Sequence, residues 1–248
     1  MDYHRPRTVS EAIEKLREAI PLAGGTSLVP RRWDLSSVMD LQDLELDQIR
    51  VQDEWVVAGA MVRLQDLVES PAVAAPVRDA ARREAGWNIR NAASVGGVVA
   101  ASDGRSALLA VLLALGSRVQ TEPGGSEEDL DAFLDARFRD ERPRLVIGVR
   151  IRRPVTAVYD QVARTPADRP LVCAVIGEWG GASPGRRVVL GGFGPRPVLV
   201  REVGDLEKVV GAAMRAYADA GDEWASAEYR SAMAGVLVRR LAEGMAGG

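Results

Sequence analysis

The run ALLAVLLAL at positions 107–115 sets the first constraint on the fold. No polar side chain interrupts it, and a helix that is apolar all round must be enclosed by other elements. It is about half the ~20 residues a membrane span needs. It reads as a helix buried in a large core. The chain has 248 residues, enough for one such core or two modest ones, with roughly 70–75 % of the unfolded surface buried on folding.

Two residue types are nearly absent. Cys173 is the only cysteine and His4 the only histidine. One cysteine makes no internal disulfide, no Cys-based zinc site and no iron–sulfur cluster. A lone histidine near the N-terminus argues against a Ser-His-Asp machine. Any redox chemistry here therefore calls for a bound organic cofactor, with the protein supplying binding and orientation. Net charge is −3, without the basic stripe of a nucleic-acid partner. The pairs Arg31-Arg32, Arg82-Arg83, Arg152-Arg153 and Arg239-Arg240 are scattered and read as solvated faces. With no membrane-length apolar run, and no apolar signal core in MDYHRP, the expected location is cytoplasmic.

The first part of the chain alternates helix and strand patterns. TVSEAIEKLREAI puts Val9, Ala12, Ile13, Leu16 and Ile20 on one face, with Thr8 or Ser10 as N-cap. PLA, SSVMDL and EWVVAGAMV read as strands, and RLQDLVES and AAPVRDAARREAG as helices. After the buried helix come a strand RVQ, a polar loop EPGGSEED, a helix LDAFLDA and a strand RLVIGVRI. Past Pro154 the texture changes to strands at hairpin spacing, AVYDQVAR, LVCAVIGEW, RRVVLGGF and RPVLV, followed by two helices near 206–218 and from about 226. The expectation is an α+β chain with a domain boundary near 156, residues 1–156 and 157–248. Cys173, in an apolar strand, reads as an inert buried thiol. The five tryptophans read mainly as packing, although Trp87 could also lie on a ligand ring.

Two glycine pairs carry the functional signal: LAGGTSLVP at 22–30 and ASVGG at 93–97. Consecutive backbone amides in a Gly-rich turn surround a diphosphate well, because glycine permits positive φ and close approach. A helix starting just after the turn adds its positive end, and Thr26 and Ser27 add hydroxyl donors. Neither pair fits G-x-G-x-x-G or G-x-x-x-x-G-K-[ST], so a Rossmann fingerprint and a P-loop are not supported. Taken singly, each pair reads as a tight turn. Two similar turns converging on one pyrophosphate would explain both.

YHRPRTVSEAIEKL, LAGGTSLVP, VMDLQDLEL, VVAGAMVRLQDL, IRNAASVGG, LLALGSRV, RPVLV and SAEYRSAMAGVLVRRL occur in the order and spacing of one known family. The chain resembles, from end to end, the FAD-binding medium subunit of molybdenum hydroxylases of the carbon monoxide dehydrogenase and xanthine dehydrogenase type. The resemblance implies a two-lobed, pyrophosphate-loop flavin domain, with lobes of about 1–57 and 58–156, followed by a small α/β C-terminal domain with an antiparallel sheet. It implies FAD contacts from Ala23, Gly24, Gly25, Thr26, Ser27 and Leu28, and from Ser94, Val95, Gly96, Gly97 and Val98. Leu145 or Val146 would lie near the flavin ring, and Arg164 with Asp168 would stand where the domains meet; those two also read as a plain surface ion pair.

The sequence departs from that pattern after the second pair. Val98 stands where the family has Asn, and Ala107 where it has Asp, with Asp103 four residues early. Each hydrogen bond so lost costs about 0.5–1.5 kcal/mol. The implied role is an electron-transfer flavoprotein with no acid, base or nucleophile of its own. Electrons would come from [2Fe–2S] clusters on a ferredoxin-like small subunit, beside a molybdopterin-binding large subunit, and pass to NAD⁺ or another acceptor. A flavin-free assembly subunit and a free-standing flavin oxidase or reductase are the alternatives.

Overall fold

The computed structural model describes residues 1–137, 139, 143–165, 168–202 and 204–246. Strand β1 (Asp2–His4) leads to helix α1 (Val9–Lys15), and Thr8 is the N-cap, its Oγ1 accepting from the Glu11 amide at 3.2 Å. Strand β2 (Ile20–Leu22), a 3₁₀ stretch (Val29–Asp34) and β3 (Ser37–Asp40) follow. These strands form a three-stranded parallel sheet in the order β1-β3-β2. Its apolar face meets α1 in a small core of Ala12, Leu16, Met39, Leu41, Leu44 and Leu145.

A second unit runs through β4 (Ile49–Gln52), β5 (Trp55–Gly59), α2 (Leu64–Glu69), α3 (Ala75–Glu84), α4 (Trp87–Arg90), α5 (Val95–Ala101) and α6 (Ala107–Ala114). It closes with β6 (Arg118–Glu122), β7 (Ser126–Asp129), α7 (Leu130–Ala136) and β8 (Leu145–Arg152), giving an antiparallel sheet in the order β4-β5-β8-β6-β7. Strands β9 (Val155–Val162), β10 (Val172–Trp179), β11 (Gly185–Gly191) and β12 (Val198–Val200) make a four-stranded antiparallel sheet, covered by α8 (Leu206–Ala216) and α9 (Ala227–Ala246).

Every residue of α6 is buried. The helix shares one core with α2, α3, α5 and β8 on its own side and with Cys173, Val175 and Val189 of the third sheet on the other. Burying each of its leucines contributes about 1.5–3 kcal/mol, and no solvent face is left to carry a polar residue. Strand β10 shows the two-residue period of a strand with both faces covered. Cys173 and Val175 point to the α6 core, while Val172, Ala174 and Ile176 enter a second core with α8 and α9. Burial pushes the Cys173 thiol up to about 12, so it stays a neutral packing group.

The polar loop expected at 122–129 is instead a β6–β7 hairpin. Its acids are neutralised by arginines distant in sequence: Glu127 pairs with Arg118 at 2.7 Å and Arg150 at 2.8 Å, Asp129 with Arg187 at 2.7 Å, and Glu128 with Arg144. Arg152, read as solvated, lies 4.4 Å over the Trp55 ring, which is buried. Trp33 and Trp87 are not packing residues, being 84 % and 63 % exposed.

Arg230 is fully buried in α9. It donates to the carbonyls of Leu171 (3.0 Å), Ala220 (2.7 Å) and Ala225 (3.1 Å) and to Asp222 Oδ1 (2.8 Å). Asp222 also receives Arg105 at 2.9 Å, so one carboxylate ties α9 to the loop before α6. Arg137 adds a second tie, donating to Val99 O (2.6 Å), Ser102 O (2.5 Å) and Pro195 O (2.8 Å).

Arg230→Met leaves those carbonyls without their donor and takes from the partly exposed Asp222 one of its two arginines, and should cost about 1–3 kcal/mol in urea unfolding; a loss under about 0.5 kcal/mol would contradict the clamp. Burial alone would raise the Glu127 carboxyl, but Arg150 and Arg118 outweigh it and hold it below its usual value. A depressed carboxyl stabilises the fold above the unfolded pKa of about 4.3 and loses that contribution as pH falls through its lower folded value. Thermal melts of Glu127→Gln should therefore fall below wild type at pH 7, and the gap should close as pH falls below the unfolded carboxyl value.

Candidate functional site

Strand β2 ends at Leu22 and the chain turns through Gly25, whose φ is +70°. The Gly25 carbonyl then accepts from the amides of Leu28 (3.1 Å) and Val29 (2.8 Å), which starts the 3₁₀ stretch. The intervening amides of Gly24, Gly25, Thr26 and Ser27 have no acceptor among the described residues, nor do the Thr26 and Ser27 hydroxyls take part in any hydrogen bond there. Four successive donors thus remain on one short turn. Backbone donors not spent inside a fold are satisfied by water or by a ligand.

This turn touches the second motif directly. A Cβ on Gly24 would lie 1.7 Å from the Ala92 carbonyl oxygen and 3.1 Å from Ala93 Cα. Two segments some seventy residues apart are therefore in backbone contact, and only glycine at position 24 permits it.

The second pair is built differently from the expected nest. Gly96 and Gly97 lie in the first turn of α5, with Ser94 as N-cap. The Val95 amide donates to Val62 O and the Gly96 amide to Ala60 O, both at 2.9 Å. The Gly97 amide donates to Ser94 Oγ at 3.1 Å and that of Val98 to Ser94 O at 3.0 Å. None of these donors is left for an anion. Gly96 is required for packing instead, since a Cβ there would sit 2.7 Å from the Ala60 Cβ.

A groove of about 610 Å³ opens where the two segments meet, lined by Ala23, Gly24, Gln42, Asp47, Met61, Arg63, Asp66, Asn91, Ala92 and Ser94. Arg63 brings a guanidinium that no carboxylate pairs with among the described residues. Arg63, Gln42 and Asn91 were not singled out, although they lie in the matching segments VVAGAMVRLQDL, VMDLQDLEL and IRNAASVGG; their place in the groove depends on long-range packing. From the turn the groove takes Ala23 and Gly24, and beside Arg63 it carries two carboxylates, Asp47 and Asp66; the four unpaired amides and two hydroxyls that follow from Gly24 are donors of the kind a diphosphate requires.

The other expected residues lie elsewhere. Val98 is buried in the main core, and Leu145 is buried in the small one, against which Ala23 and Met61 also pack. Val146 is likewise core. Asp103 is held by Arg169 at 2.6 Å and by the Arg105 amide at 2.9 Å. Arg164 pairs with Asp168 at 3.7 Å and stacks 4.4 Å over Trp224. Asp168, with Ala107, lines a second cavity of about 480 Å³ rather than the groove.

A family model described as the FAD binding domain in molybdopterin dehydrogenase matches residues 1–154. The carbon monoxide dehydrogenase medium chain of Afipia carboxidovorans is 31 % identical, over 98 % of this chain and 95 % of that one. The uncharacterized protein YgfM of Escherichia coli K12 is 30 % identical over 96 % and 94 %. Among solved structures, the Cu,Mo-CO dehydrogenase in its cyanide-inactivated form aligns with a TM-score of 0.84 at 29 % identity, covering 98 % of this chain and 96 % of that chain. Among the described residues no helix is long and apolar enough to cross a membrane.

Gly24 and Gly97 should respond differently to a single methyl group. Gly24→Ala forces the Ala92 segment away and should lower the melting temperature by several degrees, equivalent to about 1–3 kcal/mol. Gly97→Ala meets only the Ser94 hydroxyl, at 3.2 Å, and adds a better helix former. Its melting temperature should stay at or above wild type. Equal sensitivity at both positions would contradict the asymmetry.

Proposed function

Because this chain belongs to the family of FAD-binding domains of molybdopterin dehydrogenases, we propose that it is the flavin-carrying electron-transfer subunit of a multi-subunit hydroxylase or dehydrogenase. The observation that carries this reading is the run of four unpaired amides on the Gly24–Ser27 turn, pressed against the Asn91–Ser94 segment. Residues 1–156 are assigned to the flavin domain, with lobes of about 1–57 and 58–156, and 157–248 to the C-terminal domain. The family match over 1–154 and the change of sheet between Arg152 and Val155 support that division.

Bound FAD supplies redox chemistry that accepts electrons singly and delivers them in pairs. This chain's part is to hold it. The Gly24, Gly25, Thr26 and Ser27 amides and the Thr26 and Ser27 hydroxyls hold the diphosphate, and Arg63 neutralises its charge. Gly96 keeps α5 tight against Ala60, which fixes the Ala92–Ser94 wall of the groove. No side chain here acts as acid, base or nucleophile. The partners are a small subunit with [2Fe–2S] clusters as electron donor and a large molybdopterin subunit that oxidises the substrate, with NAD⁺ or another acceptor receiving the electrons.

A flavin-free assembly subunit is the second reading, favoured by Val98 and Ala107, which are buried apolar residues at positions the family makes polar. Titration with FAD separates the two. The flavin-carrying reading expects a protein-bound flavin spectrum in the visible. It also expects Thr26→Val with Ser27→Ala to raise the FAD Kd about tenfold, through two lost hydrogen bonds, at an unchanged melting temperature. A chain that takes up no FAD would favour the assembly role.

A further inference from the structure

The second cavity, of about 480 Å³, lies between α3, the start of α6, Gln161 and residues 168–170, and its wall carries Arg83, Glu84, Arg105, Ala107, Asp168 and Arg169. Glu84 Oε2 accepts from the Ser106 hydroxyl and from the Leu108 amide, both at 2.9 Å. The carboxyl therefore grips the residues on either side of Ala107. Its Oε1 accepts no hydrogen bond from the described residues.

Helix α6 does not need this carboxyl as its N-cap. Ser106 already fills that role, its Oγ accepting from the Leu109 amide at 3.0 Å. Holding a carboxyl there is costly, since burial pushes Glu84 up from its usual value despite the two donors. What Glu84 adds is an acceptor on a cavity wall, beside the one position where the family pattern has a carboxylate and this chain has alanine.

The cavity and the diphosphate groove are neighbours on one segment. Glu84, Ala85, Gly86 and Arg90 line the cavity, while Asn91, Ala92 and Ser94 line the groove. Helix α4 lies between them, four residues and about 6 Å long. It exposes Trp87 on that path. Arg90 lines the cavity and the next residue, Asn91, lines the groove, a spacing shorter than an extended dinucleotide.

We propose that Glu84 is a positioning residue for the flavin half of the cofactor, its Oε1 accepting from a ribityl hydroxyl or ring N–H while Oε2 stays on α6. The carboxyl missing at Ala107 is thus delivered from α3. This rests on the reading that the chain binds FAD, and it adds which residue orients the flavin end.

The test is a set of fluorescence titrations on the full chain with FAD and with ADP, which shares the diphosphate and adenine but has no flavin. Glu84→Gln keeps the two bonds to α6 yet presents a donor where an acceptor is needed. It should weaken FAD about tenfold at unchanged melting temperature. Glu84→Ala should weaken FAD at least as much, and Glu84→Ala with Ala107→Asp should recover most of the affinity. ADP should bind all four proteins alike. Unchanged FAD affinity in Glu84→Gln, or equal weakening of FAD and ADP, overturns the role of Glu84 while leaving FAD binding intact. A wild-type chain that binds ADP but not FAD overturns the flavin reading and this inference together.

Discussion

The carbonyl oxygen of Ala92 occupies the space where any side chain at position 24 would begin. That contact joins the parallel β1-β3-β2 unit to the helical start of the second unit, and it turns a surface bend into one wall of a groove. With the backbone of 91–94 pressed against it, the Gly24–Ser27 turn pairs none of its four amides within the chain. Unspent donors on a rigid turn are a preorganised anion site, because their orientation was settled when the protein folded. The remaining architecture keeps the two segments in register: α5 is pinned to Ala60 and Val62, and Ala23 and Met61 pack on the small core that holds Leu145.

The C-terminal unit is bound to this arrangement by two kinds of force. Apolar burial around α6 supplies most of the adhesion, since that helix has no face turned to water and β10 packs on it directly. Arginines supply the alignment. Arg105 and Arg230 share Asp222, Arg137 collects carbonyls from both units, and Arg187 crosses to Asp129. Arg230 is buried and the others are partly so; such charges add little net stability but penalise an alternative docking that leaves them unpaired.

Elements with strong local signals were legible in the sequence. The buried helix, the amphipathic α1 and the alternating hairpins after Pro154 all follow from periodicity and run length. β1 and β4 were not: DYH carries one aromatic between polar residues, and IRVQ alternates over only four residues, without the apolar run that marked PLA and SSVMDL. EPGGSEED looked like a solvated loop because acids are poor strand formers. Only Arg118, Arg144, Arg150 and Arg187, brought in by the fold, make a strand of them. The two glycine pairs looked alike for a similar reason. What separates them is whether another backbone claims their amides, and the claimant, Ala60–Val62, lies more than thirty residues upstream of the second pair. Arg63, inside the segment VVAGAMVRLQDL, and Glu84, outside the matching segments, were singled out only through the cavities they line.

Amide chemical shifts of the isotopically labelled chain during addition of FAD bear most directly on the central claim. Resonances of Gly24, Gly25, Thr26 and Ser27 should move downfield as those amides take up the diphosphate, while Gly96 and Gly97, already bonded within the chain, stay nearly in place. Movement confined to the second pair, or none in the first turn while FAD is bound, would contradict it.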